Sequence, residues 1–572
     1  MVFSRFCIFI LITYIFCSGH AWAGIHHYTL DTVRDEDSTK VFVTYMFQAP
    51  DSKSTRLVLE PNGASGENIY EIIKLIDQDN ADILIQRVQD TPNAFDIDHE
   101  PKQWINLRYE ISIPPQMIQD GYGERDYYPF IESDFVYLEG RDFILLPESL
   151  PHTEIIDVQI KFITPHTWKV AKTIEKEKFS LVREDVWGTI FFAGKDLRVT
   201  DIMITPDQKV RLAVLGDFEF FEHNPDDILE SKIHDIFRAL LNFWNDTKPM
   251  DYLIALREVS DISTNGSAIY ESFRANLERN IPLKNLLMLF AHEVFHRYNG
   301  KKIRFKQKDL NHTWFMEGVT NYYTDLIGLQ AGVIDRREFI KRLNQTIENY
   351  ELSPARNATS KNIETLFWKN IAYKRLPYHQ GHLLGHLLDA HIRKGSKGQK
   401  SLDDFMKALL KLFESNPPEG FFETTFYQIL DQNYHEDVSS VIIPHVKSGQ
   451  SIDIKSAIDL GACFRVQKSK IQAFDRGFDR SVLKAQGAKI TGVAQGSQAY
   501  KAGLRNGQVY KGIDMYGNPS VLATVRVEVD GKVKKIKYYP TKNLGNIYQV
   551  KIKKEKYWTD DSCWQRLYSE TD

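Results

Sequence analysis

The stretch from Pro282 to Gly300 constrains this chain more than any other. Leu286, Leu287, Leu289, Phe290, Val294 and Phe295 make it apolar enough to be buried. Pro282 suits the first turn of a helix, and Asn299-Gly300 supplies a stop. The same helix carries His292, Glu293 and His296. Polar side chains buried without partners are costly, so a fold built around this helix must give these three something to bind. Residues four apart on a helix share a face, one turn apart, where both imidazoles reach one ion. Glu293 lies beside that face, placed to take a proton from water at the ion rather than to hold the ion. With 17 histidines in 572 residues, about 0.03 His-Glu-x-x-His matches arise by chance, so the motif needs context before it carries a conclusion. The bland alternative is a pair of satisfied core histidines beside an exposed acid.

Context comes from Trp314-Phe315-Met316-Glu317-Gly318. A second helix is expected from about Glu317 to Gln330, with Gly332 past its end. Glu317 in its first turn is the candidate third ligand, giving a metal set of His292, His296 and Glu317. Its alternative role is a first-turn acid that favours the helix dipole. Four more histidines, His379, His382, His386 and His391, crowd a later segment. His382 and His386 also stand four apart, but Leu383 occupies the acid's position, so they read as buried or solvated helix histidines, with a second metal site or a place lining the active site as the alternatives.

The remaining chain frames this helix. A length of 572 residues exceeds one core and implies several domains. The net charge of -4 gives no electrostatic case for nucleic acid or an acidic membrane surface. Arg5, the apolar run Phe6 to Phe16 and Ala21-Trp22-Ala23 read as a signal peptide over residues 1–23, with an uncleaved anchor as the alternative. No later stretch is long and apolar enough for a stable transmembrane segment. Export to a periplasm or the exterior follows as an expectation. Cys463 and Cys563 then either form one disulfide or stay as thiols. Residues 24–201 alternate as strands, as in Val41, Val43, Tyr45 and Phe47, and are expected to form an antiparallel β-domain. Residues 202–452 turn mainly helical, with later helices over Leu383 to Arg393 and Leu402 to Phe413. Residues 453–545 return to strands around the Asp530-Gly531 hairpin signal, and 546–572 read as a C-terminal tail. The basic run Lys532 to Lys537 is interleaved with Val533 and Ile536, as a solvated strand face is. The fold class is multidomain α+β.

His292-Glu-Val-Phe-His-Arg-Tyr-Asn-Gly-Lys-Lys-Ile-Arg304 and Trp314-Phe-Met-Glu-Gly-Val-Thr-Asn-Tyr-Tyr323 resemble the glycyl aminopeptidase family of gluzincin zinc metallopeptidases. That resemblance implies a β-rich N-terminal domain, a thermolysin-like catalytic domain and a C-terminal PDZ domain. Gly492 to Ala499 and Ala502 to Gly507 resemble a PDZ core, which implies a peptide ligand there or else a purely structural domain. Tyr378-His379-Gln380-Gly381 matches the family's Tyr-x-Lys-Gly-like pattern, with Gln380 replacing the lysine. By that match Tyr378 donates to the oxyanion, unless it is a packing aromatic. Relatives carry a Gly-Leu-Glu-His-like segment whose acid grips the substrate's amino terminus. The corresponding Asn265 to Tyr270 puts Ala268 at that acid, with Glu258 and Glu271 as nearby substitutes.

The combined expectation is an exported Zn²⁺ peptidase, with Glu293 as base and Tyr378 as oxyanion donor. It acts on a peptide or protein substrate, most simply as an aminopeptidase. Two readings stand beside it: an endopeptidase with the same chemistry, and a non-catalytic scaffold that binds peptides through the PDZ-like domain.

Overall fold

The computed structural model describes residues 24–567 apart from 36–37, 61–70, 78–83, 114–128, 152, 224–225, 260–263, 307–309, 416–422, 435–437, 486 and 517. The expected signal peptide lies outside the described residues. The chain divides into two compact units, residues 1–241 with 246–301 and residues 242–245 with 302–572.

In the first unit, strand Thr39–Gln48 pairs antiparallel with both His26–Arg34 and Trp104–Ile111. Val41, Val43, Tyr45 and Phe47 all point into the core, as their alternation requires. His26–Arg34 also pairs parallel with Ile155–Ile163, so the domain is not wholly antiparallel as expected. Alternation fixes which face is buried, not which distant strand lies alongside.

A five-stranded sheet follows, built from β1 (Arg198–Thr205), β2 (Gln208–Leu215), β3 (Met250–Glu258), β4 (Asn265–Ile269) and β5 (Ser272–Leu277) in the order β1-β2-β3-β5-β4. β3 runs parallel to both neighbours and is buried on both faces, which explains its unbroken apolar run. Helix α1 (Asp226–Trp244) lies in the crossover from β2 to β3 that a parallel pair needs. Helix α2 (Leu283–Phe295) sets Phe290 against Phe237 of α1 at 5.5 Å and Phe273 of β5 at 5.6 Å. Phe130, Tyr137, Ile190 and Phe192 share a core with Ala213, Leu253, Ala255 and Ile269. That shared core is why the expected boundary near residue 201 falls inside this unit.

In the second unit a π-helical turn (Trp314–Val319) runs into α3 (Thr320–Gln330), and Gly332 beyond it adopts φ +62°. Helix α4 (Arg336–Glu351) starts at Asp335, whose carboxylate accepts the Glu338 N–H at 2.7 Å. Helix α5 (Ile371–Gly395) begins well before the expected Leu383 and passes through Pro377. Proline forfeits one intrahelical hydrogen bond. Here burial of Leu376, Pro377, Gln380 and Gly381 outweighs that loss. Tyr378 therefore lies within a helix rather than ahead of one.

The C-terminal β-region comprises β6 (Phe464–Phe474), β7 (Val509–Asp514), β8 (Ala523–Val529), β9 (Lys532–Tyr538) and β10 (Thr541–Ile552). Phe478, Ile490, Leu504, Val525 and Ile536 belong to its own core. Asp530 and Gly531 both take positive φ, the two-residue turn their sequence signals. Among the described residues no helix lies between β7 and β8.

The segment expected to be a tail is built in. β10 pairs with β6 along its length, and the amide of Asn344 bonds both the N–H (2.7 Å) and the carbonyl (3.1 Å) of Val550. Glu351 accepts the Tyr548 N–H at 2.9 Å. These α4 side chains satisfy the strand edge that β6 leaves open. Trp564 is fully buried against Phe464 and Trp558, and Cys563 is bonded to Cys463 across 100 residues. Replacing both cysteines with serine should lower stability by about 2–4 kcal/mol. Urea unfolding checks this, and an unchanged midpoint contradicts it.

Candidate metal centre

Regular hydrogen bonding in α2 ends at Phe295, yet His296 keeps a helical φ of -63° and bonds its N–H back to Glu293. The four-residue spacing therefore still stacks the two imidazoles. Their Nε2 atoms stand 3.2 Å apart with ring planes at 85°. Two nitrogens each about 2.0–2.1 Å from a tetrahedral zinc stand about 3.3 Å apart. His296 Nδ1 lies 2.8 Å from the Asn299 carbonyl. That acceptor fixes the proton on Nδ1 and leaves the Nε2 lone pair for an ion. Glu293 is 9% exposed, and its Oε2 accepts the Ala268 N–H at 2.8 Å. β4 is the sheet's edge strand, so this N–H points away from β5 towards α2.

Glu317 sits in the π-helical turn, where Thr320 Oγ1 donates to the Met316 carbonyl at 2.6 Å. Such widened turns recur at functional sites because they redirect a side chain. Ligand atoms of His292, His296 and Glu317, all three half-buried, lie within 4.8 Å of one another. No other such group of three occurs among the described residues. Two imidazoles and one carboxylate form a donor set that zinc takes in catalytic sites.

His382 and His386 are different. Both are buried and stack at 5.5 Å, with Asp325 3.9 Å from His382. Burial pushes both imidazoles down, His386 to about 3, so they remain neutral packing groups.

Tyr378 is half-buried on α5, one turn before Gly381. A Cβ on Gly381 would collide with the Trp314 carbonyl oxygen, and one on Gly318 with the Gly381 backbone. The helix bearing Tyr378 thus meets the turn bearing Glu317 backbone to backbone. Gln380, in the expected lysine's place, donates inward to the His445 carbonyl at 3.2 Å.

Both substitute acids already accept a hydrogen bond within the fold. Glu258 Oε2 accepts the Asp217 N–H at 2.7 Å, and Glu271 Oε2 accepts from Arg297 Nε at 2.6 Å. Arg297 and Tyr298 also bind Asp246. Burial opposes ionisation of Asp246, but those hydrogen bonds outweigh it and hold its pKa at about 2. No motif marks this network. Its sequence signal is an arginine held inside the apolar turn before Asn299-Gly300.

The fold is similar to those of solved structures. The chain resembles the crystal structure of an aminopeptidase N family protein from Idiomarina loihiensis, with TM-score 0.68, 15% identity, and 96% of this chain and 100% of that chain covered. An M1 zinc metallopeptidase from Deinococcus radiodurans also matches, with TM-score 0.49, 13% identity, and 75% and 95% covered. Residues 285–380, which hold His292, Glu293, His296, Glu317 and Tyr378, match the family model of the M61 glycyl aminopeptidases. No curated protein matches the chain.

The glycine contact generates a prediction. Gly381→Ala should displace the Trp314–Val319 turn and lower zinc content by metal analysis while the protein stays folded by circular dichroism. Full zinc content would show that the contact does not position Glu317.

Proposed function

We propose that this protein is an exported zinc-dependent metallopeptidase, with aminopeptidase action as its leading mode. The observation that carries the reading is the convergence of the His292 and His296 Nε2 atoms beside a Glu293 carboxylate held by a backbone N–H. His292, His296 and Glu317 are the ligands. Bound zinc supplies Lewis acidity towards water and the scissile carbonyl. Glu293 takes the water proton and passes it to the leaving amine. The Ala268 N–H keeps one carboxylate oxygen engaged, so the other faces the water. Tyr378 donates to the oxyanion as the carbonyl becomes tetrahedral.

Export rests on the Arg5 to Ala23 pattern and is supported by the Cys463–Cys563 bond, which suits an oxidising compartment. Aminopeptidase action rests on the family matched by residues 285–380. The engagement of Glu258 and Glu271 favours a second reading, endopeptidase action with the same chemistry.

Glu293→Gln should retain zinc and lose at least about 10²-fold in kcat. Unchanged turnover removes Glu293 as the base. Glu317→Ala should lose zinc, and full occupancy removes it from the ligand set. With paired free and N-acetylated peptides, cleavage of free peptides alone supports an aminopeptidase. Equal cleavage supports an endopeptidase, and binding without cleavage supports a scaffold.

A further inference from the structure

Arg297 follows the second zinc histidine directly, yet its side chain is only 7% exposed. Its guanidinium is shared between two elements. Nε donates to Glu271 Oε2 at 2.6 Å, and Nη1 donates to Asp246 Oδ2 at 2.9 Å and to the Tyr298 hydroxyl at 2.6 Å. The Tyr298 hydroxyl donates in turn to the same Asp246 oxygen at 2.6 Å. A planar fork suits this division, since a single ammonium point charge does not span both carboxylates.

Glu271 is an odd residue for its place. Ile269 pairs with Ser272, so Tyr270 and Glu271 form a two-residue turn between β4 and β5. Glu271 takes φ +39°, a region that glycine, asparagine and aspartate enter far more readily. Local conformation therefore does not account for glutamate here. Its carboxylate, bound by Arg297, does.

The turn lies three residues after Ala268, whose N–H holds Glu293. Glu293 and Arg297 lie four apart on one segment, and Ala268 and Glu271 three apart on the other. Two rungs thus join α2 and its end to the β4–β5 hairpin. One is a neutral N–H to the base. The other is a buried ion pair that fixes where that N–H stands.

We infer that Arg297 is a positioning residue for the peptidase centre: by holding Glu271 it sets the hairpin so that the Ala268 N–H aligns the Glu293 carboxylate. The inference rests on the proposed peptidase reading. A displacement of the order of 1 Å at a catalytic group can cost about 10²-fold in rate, so loss of the clamp acts on kcat more than on substrate binding.

The test uses the full-length mature protein and Glu271→Gly, which removes the carboxylate and relieves the positive φ, so the turn itself keeps its shape. Arg297→Lys is the companion variant, keeping charge but losing the fork. Both should retain zinc by metal analysis. Both should lose about 10- to 100-fold in kcat with KM changed less than about threefold. Amide exchange over residues 265–269 should speed up in metal-free protein. Glu271→Gly with kcat within twofold of the parent and unchanged exchange overturns the inference. A parent protein that cleaves no peptide defeats the peptidase reading instead, and the exchange measurement still decides whether the clamp holds the hairpin.

Discussion

Helix α2 is buried against α1 and β5, yet it carries two imidazoles and a carboxylate. Polar groups in such a place are tolerated only when each has a partner. The surrounding structure supplies those partners one by one. Asn299 offers its carbonyl to His296, and Ala268 its N–H to Glu293. The proposed zinc ion would complete the imidazoles. The edge position of β4 follows from the same demand, because a strand with neighbours on both sides has no N–H to spare for a side chain.

The second unit solves a matching problem for Glu317. An ordinary helical turn would fix its direction by 3.6-residue geometry, whereas the π-helical turn widens it. That turn is held by backbone contact with α5 through Gly318 and Gly381. Tyr378 rides on the same helix, so the direction of the proposed ligand Glu317 and the proposed oxyanion donor share one packing contact.

Much of this is legible in the sequence because it depends on periodicity. The apolar stripe of α2 and the spacing of His292 and His296 follow from helical geometry, and Asp530-Gly531 from turn geometry. What the sequence conceals depends on contacts between distant residues. The parallel pairing of His26–Arg34 with Ile155–Ile163 leaves no trace in either strand's alternation. Pro377 reads locally as a helix breaker, and only burial of its neighbours carries the helix through it. The segment after residue 545 looks like a tail because its partners, Asn344, Glu351 and Cys463, lie far away in the chain. Ala268 reads as a missing acid, whereas the fold uses its backbone rather than its side chain.

The central claim is a zinc ion held by two imidazoles and one carboxylate. X-ray absorption at the zinc edge of the loaded protein tests it directly. The account predicts a first shell of nitrogen and oxygen at about 2.0–2.2 Å with the outer-shell signature of two imidazole rings. Sulfur at about 2.3 Å, or an ion surrounded by water without imidazole scattering, would contradict it.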